Sequence, residues 1–262
     1  MYKLISKLWP SNRENKKLQK KEKNFFSYYL IVHTHIEKCA GTSLNIDIAN
    51  LVGNDYSYDL RHPELKRPKF MNQVERDNIK FLTGHFHFKD HMTFFTKSPL
   101  YIATVRDPVE RFVSFVQYAK EREQHPAHSL CILPPEECME KLLSERNHGV
   151  VSNGQCMALS KARTFEHARK NIIDNYLIVQ PFYSVKNISN LFYKLLSDNN
   201  SFPVEANTYT NASKKNTVNL EPSTVKRIRE LNSEDDKLFK WVCEHENKLL
   251  RKAEKTLNYL LS

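Results

Sequence analysis

The chain has 262 residues, with 40 Lys and Arg against 30 Asp and Glu and a formal charge of +10 at neutral pH. That length can bury a sizeable core and suits one α/β domain, and the basic balance favours anionic partners without naming them. No stretch reaches the roughly 18 apolar residues of a bilayer span, and the N-terminus lacks the apolar segment and cleavage site of a secretory signal, so the expectation is a cytoplasmic protein with no transmembrane segment.

Residues 1–24 read as a basic N-terminal arm, in which Lys3, Lys7, Arg13, Lys16, Lys17, Lys20, Lys21 and Lys23 face only Glu14 and Glu22. Such a run is a solvated arm or a peripheral contact to a membrane surface. Residues 25–262 then form a single α/β domain. It opens on the stretch around which the chain is organised, Tyr29-Leu-Ile-Val-His33-Thr-His35-Ile36-Glu37-Lys38-Cys39-Ala40-Gly41-Thr42-Ser43-Leu44. The β-branched run predicts a buried strand, and the apolar spacing of Leu44, Ile46, Ile48, Leu51 and Val52 predicts a helix packed on a sheet. Between them, a short loop ending in Gly-Thr-Ser makes an anion cradle. Backbone N–H groups and the helix dipole point at one spot, Gly41 lets the backbone approach closely, Thr42 and Ser43 add hydroxyls, and Lys38 adds charge.

Residues 53–77 show no period and read as an irregular excursion over the active face. A short strand is predicted over 78–83, ending at Gly84-His85-Phe86-His87. A third strand over 99–105 is apolar on both faces, as in a covered parallel sheet. Arg106-Asp107-Pro108-Val109-Glu110-Arg111-Phe112-Val113-Ser114 then starts a helix, with Asp107 as N-cap and Pro108 at its first position. Arg106 and Ser114, eight residues apart across the first helical turns, can converge on one phosphate; Arg111 supports that site or forms a salt bridge. A loop over 122–135, a helix near 136–146, a loop at 153–157, a helix near 165–173, a strand over 176–180 and a helix over 184–196 follow. Residues 199–222 read as loop, and the remainder as helix broken near Ser233. Strands separated by helices predict a P-loop-like three-layer sandwich, its central, mainly parallel sheet flanked by helices.

Five cysteines, Cys39, Cys131, Cys138, Cys156 and Cys243, are too scattered for a disulfide framework or a zinc site. The sequons at Asn187, Asn199 and Asn211 are those an Asn-rich chain carries by chance. His33, His35, His85 and His87 form two His-x-His pairs that suggest zinc, but no carboxylate or cysteine completes a site, and no metal is expected. His85, at a strand's carboxyl end, lies where open α/β sheets bind ligands.

The loop is not the nucleoside-triphosphate pattern, in which lysine follows the last glycine. The order His-Ile-x-Lys-x-x-Gly-Thr-Ser over residues 35–43 instead resembles the 5′-phosphosulfate loop of sulfotransferases that use 3′-phosphoadenosine 5′-phosphosulfate (PAPS), in particular the carbohydrate branch of sulfotransferase family 2 with the heparan and dermatan 2-O-sulfotransferases. Glu37 stands where that family usually has proline. The resemblance spans roughly residues 30–245, with Ser152-Asn-Gly-Gln155 and the block from Ala168 to Leu196 as weaker parts.

The resemblance implies a donor site made by Lys38, Cys39, Ala40, Gly41, Thr42 and Ser43 around the 5′-phosphosulfate. Arg106 and Ser114 would hold the 3′-phosphate, and Lys214 and Lys215 lie in a late loop over the donor. It implies His85 as general base, with His87 two residues on, and Lys38 as the charge at the leaving oxygen. The implied acceptor is a hydroxyl of a glycan, an anionic one by charge, with neither metal nor nucleic acid involved. Two other readings stay open, a P-loop kinase using ATP and a non-catalytic binder of acidic polymer or membrane.

Overall fold

Among the residues described by the computed structural model (25–62, 65, 67–144, 149–196 and 218–262), five strands make one wholly parallel sheet. They are β1 (Tyr29–Thr34), β2 (Ser57–Asp59), β3 (Phe81–Gly84), β4 (Ser98–Val105) and β5 (Tyr176–Pro181), in the spatial order β2-β3-β1-β4-β5. The helices are α1 (Gly41–Val52), α2 (Gln73–Asn78), α3 (Pro108–Lys120), α4 (His128–Cys131), α5 (Pro135–Ser144), α6 (Gly154–Ser160), α7 (Phe165–Asp174), α8 (Val185–Leu196), α9 (Pro222–Leu231) and α10 (Ser233–Leu261).

The sheet is apolar on both faces because both are covered. Leu30, Val32, Leu82, Tyr101, Ala103 and Val105 pack against Leu159, Ala168, Ile172, Leu238 and Val242 of α6, α7 and α10. Ile31, Phe81, Leu100 and Ile102 pack against Leu44 and Ile48 of α1 and Ile188 and Phe192 of α8. Each fully buried Val, Leu, Ile or Phe among them contributes roughly 1.5–3 kcal/mol. α10 runs along the outer side of β5 and reaches both layers, with Leu249 in one cluster and Ala253 and Leu257 in the other. A third cluster joins α3, α4, α5 and α9 through Phe112, Phe115, Leu130, Met139, Leu142 and Ile228.

After β1 the chain turns to β2 on one side, and after β4 it turns to β5 on the other. β1 and β4 are neighbours, so a crevice opens beyond their carboxyl ends, the ligand position of open α/β sheets.

Several boundaries differ from expectation. β2 and α2 lie within the stretch read as irregular; β2 is only three residues long and pairs with β3 in parallel. Asn78 closes α2 instead of opening a strand. The loop read at 122–135 contains α4. Gly41, Thr42 and Ser43 form the first turn of α1, not the end of the loop. α6 begins at Gly154, inside a segment read as loop, and Ser233 lies at the first position of α10 instead of at its cap. The basic arm and the residues of the late loop up to 217 lie outside the described residues.

Candidate functional site

The segment from His35 to Ala40 leaves β1 by a tight path. Lys38 and Ala40 both take left-handed backbone conformations, with φ of 65° and 64°. For non-glycine residues each such conformation costs on the order of 1 kcal/mol, and it turns successive N–H groups toward a common concavity. Ala40 occupies the N-cap position of α1 and offers no side-chain acceptor, and the first turn carries no acidic residue. The positive end of the helix dipole is thus left uncompensated by the helix itself. Thr42 and Ser43 are half-buried, and no side-chain bond ties their hydroxyls among the described residues.

Three contacts hold this loop down. Thr104 Oγ1 of β4 donates to the Cys39 carbonyl at 2.5 Å. Arg111 Nε donates to the Glu37 carbonyl at 3.0 Å. The Cys39 thiol lies 3.5 Å from Gln155 Oε1, and burial pushes its pKa up to about 11. Cys39 therefore belongs to the loop through its backbone, not as a nucleophile. The Glu37 side chain is half-buried while its carbonyl faces inward to Arg111. Gly41 has no room for a β-carbon, which would lie 2.2 Å from Cδ2 of the His35 ring. The close approach at Gly41 is thus to a protein side chain beneath it.

Lys38 Nζ rests 3.7 Å from the centroid of the Tyr118 ring, and the Arg122 guanidinium lies 3.9 Å from the same centroid. Burial above all, with Arg122 and Arg106 nearby, lowers the Lys38 pKa to about 8.

Arg106 follows β4 and is held on several sides. Gln155 Oε1 accepts from its backbone N–H at 2.8 Å, and Gln155 Nε2 donates to its carbonyl at 2.8 Å. Its Nη1 donates to the Lys38 carbonyl at 3.3 Å, its guanidinium stacks 4.3 Å from the Phe182 centroid, and Glu110 lies 3.4 Å from Nε. Asp107 caps α3 as expected, its Oδ1 accepting from Val109 and Glu110, with Pro108 at the first helical position. Glu110, Ser114 and Tyr118 are spaced four apart along one stripe of α3. One end of the stripe touches Arg106 and the other touches Lys38, so half-buried Ser114 lies between them.

Gln155 is fully buried, and its own position is set by reciprocal capping between α6 and α10. Asp235 of α10 accepts from the Gln155 and Cys156 N–H groups at 2.9 and 2.8 Å. Asn153, before α6, accepts from the Glu234 and Asp235 N–H groups at 2.9 and 3.1 Å. Asp235 is fully buried, with Arg111 Nη1 3.9 Å away; burial raises its pKa against the pull of Arg111. Of the two roles read for Arg111, the structure shows the pairing with a carboxylate, Asp235, while its Nε holds the Glu37 carbonyl of the loop. Asp235→Ala should leave the buried Arg111 guanidinium without its carboxylate and two N–H groups unpaired. The expected cost is about 3–5 kcal/mol, read as a drop of about 10 °C or more in thermal denaturation.

His85 is exposed at the end of β3. Its Nδ1 lies 2.8 Å from the His35 carbonyl. A carbonyl only accepts, so Nδ1 carries the proton and Nε2 of the neutral ring is left with its lone pair. His87 instead turns to a surface turn, with Asp90 Oδ2 accepting from its N–H at 2.9 Å and lying 3.5 Å from Nδ1. His33 and His35 are stacked at 5.1 Å inside the fold. Burial lowers His33 to about 4 and His35 well below the usual histidine range. Among the described residues no group of three or more His, Cys, Asp or Glu could hold a metal ion.

The loop at 38–43, Arg106, Ser114 and His85 thus gather at the carboxyl edge of β3, β1 and β4. Lys214 and Lys215 lie outside the described residues. Tyr118 and Phe182, which receive Lys38 and Arg106, carry no local signal beyond the spacing of Tyr118 four residues after Ser114.

No curated protein matches the chain, and no helix among the described residues is long and apolar enough to cross a membrane. The sequence model of the sulfotransferase family does match, over residues 24–242. That span takes in the loop, the strand-end arginine and the strand-end histidine, and the chain belongs to the sulfotransferase family.

Proposed function

We propose that this sulfotransferase uses PAPS as donor and transfers its sulfuryl group to a hydroxyl of a glycan, releasing 3′,5′-ADP. The observation that carries the reading is the union of two anion-seeking elements. The uncapped start of α1 meets Arg106, whose Nη1 bonds the Lys38 carbonyl at 3.3 Å within the loop itself. A donor with phosphate groups at both its 5′ and 3′ positions suits that pair. The 5′-phosphosulfate takes the N–H groups of residues 40–43 and the hydroxyls of Thr42 and Ser43, the Cys39 N–H being held by the Ile36 carbonyl at 3.3 Å. The 3′-phosphate takes Arg106 and Ser114.

His85 Nε2 accepts the proton of the acceptor hydroxyl as its oxygen forms the new bond to sulfur. The bond from sulfur to the bridging oxygen breaks, and the charge left on the 5′-phosphate is neutralised by Lys38. As in phosphoryl transfer, positioning and electrostatics supply most of the acceleration. The glycan acceptor, and its kinship with that of the heparan and dermatan branch, rest on the sequence resemblance. The positive charge of the chain favours an acceptor with carboxylate or sulfate groups.

Calorimetric binding of 3′,5′-ADP, 5′-AMP and ATP tests the donor. The expected result is a preference for 3′,5′-ADP over 5′-AMP of about 10–100-fold, abolished in Arg106→Ala, since charged hydrogen bonds to one phosphate are worth roughly 1.5–3 kcal/mol. Equal affinity for 3′,5′-ADP and 5′-AMP, or magnesium-dependent ATP turnover, would overturn the reading.

A further inference from the structure

His35 touches both halves of the site. Its ring fills the space beneath Gly41, where an added β-carbon would lie 2.2 Å from Cδ2 and 2.3 Å from Nε2. Its carbonyl holds His85 Nδ1 at 2.8 Å, and its ring lies 4.7 Å from that of His85. The ring has little freedom. It is 5% exposed, it stacks on His33 at an interplanar angle of 12°, and the Asn45 side-chain amide lies 3.4 Å from Nδ1. Asn45 belongs to α1, the helix that Gly41 begins.

We propose that His35 is a positioning residue that couples the donor loop to the general base, its ring setting the height of the loop at Gly41 and its backbone setting the tautomer of His85. The proposal rests on the reading of His85 as base and of residues 38–43 as donor loop. Its physical content is that loop and base do not move separately. A displacement at Gly41 pushes the stacked ring, the ring moves the backbone of residue 35, and the carbonyl that fixes the His85 proton moves with it. Burial keeps the His35 ring neutral, so it adds no charge beside His85 when that residue takes the acceptor's proton.

A mutant cycle with two readouts tests this. Gly41→Ala, His35→Ala and the double variant are compared with the wild type for 3′,5′-ADP affinity by calorimetry. The tautomer of His85 is read from its ring ¹⁵N shifts, assigned with His85→Gln. Gly41→Ala in the wild-type background is expected to weaken 3′,5′-ADP binding about tenfold, the usual scale for overpacking a filled site. In the His35→Ala background, where the methyl enters vacated space, the same change is expected to cost less than about twofold.

Gly41→Ala alone should also raise the Nε2–H form of His85. If Gly41→Ala costs the same in both backgrounds, or leaves the His85 tautomer unchanged, the coupling does not exist. Should His35→Ala fail to fold, His35→Asn replaces it with the same expectations. A wild type that does not prefer 3′,5′-ADP would sink the donor assignment alone; the His85 tautomer in Gly41→Ala would still decide the coupling.

Discussion

His85→Ala is expected to lower sulfuryl transfer by about 10²–10⁴-fold, the usual contribution of a positioned general base, while leaving 3′,5′-ADP affinity within about twofold of wild type. The two effects separate because the hydrogen bond of His85 goes to the His35 carbonyl, whereas Arg106 bonds the Lys38 carbonyl and Lys38 rests on Tyr118. The change would therefore appear in kcat and not in donor binding. His87→Ala is the matched control. His87 is engaged with Asp90, and Asp90 in turn pairs with Lys161 at 2.7 Å. Turnover within about threefold of wild type is expected there, the mark of a surface substitution. Radiolabelled transfer from PAPS to a glycan panel would check both. A large loss in His87→Ala with none in His85→Ala would reverse the assignment of the base.

What the sequence discloses follows from how locally each feature is encoded. The strand, loop and helix at 29–52 are written in contiguous residues, and the Asp-Pro start of α3 caps itself, so both could be read directly. The positions of Arg106 and His85 at strand ends followed from the same local signals. β2 could not be read, because three residues on a sheet edge show no alternation and its pairing depends on β3, more than twenty residues away. The start of α6 was hidden for a similar reason. Its caps come from Asp235, on a helix some eighty residues later, while the only local cue was a left-handed Asn153.

The site divides along the same line. The residues proposed to meet an anion were picked out by type and order, whereas the contacts that aim them were not. Gln155 belongs to a segment recognisable in sequence, but its grip on both backbone groups of Arg106 is a tertiary fact. Tyr118 and Phe182 are ordinary aromatics until Lys38 and Arg106 are found resting on them. The same holds for Gly41, whose lack of a side chain read as room for a ligand. The structure gives that room to His35.

Lys38 offers the sharpest electrostatic test. With its pKa lowered to about 8 by burial and neighbouring guanidinium groups, its amine is only partly charged at mildly alkaline pH. A bound phosphosulfate or phosphate favours the ammonium and raises that pKa, so the sign is fixed by linkage. Donor affinity is fully present below about pH 8 and falls as pH rises from there toward the pKa of the bound state. Binding at pH 8.5 should take up protons, seen as a dependence of calorimetric heat on the ionisation enthalpy of the buffer. Lys38→Arg keeps its charge over this range, so its affinity, even if lower, should be flat where that of wild type declines. Lys38→Ala should lose both the pH dependence and about 10²–10³-fold in turnover, the scale of removing one donor from a developing oxyanion. An affinity for 3′,5′-ADP that stays constant in the wild type from pH 7 to 10 would mean that the amine remains on Tyr118 when the nucleotide binds. Its role would then be confined to holding the loop.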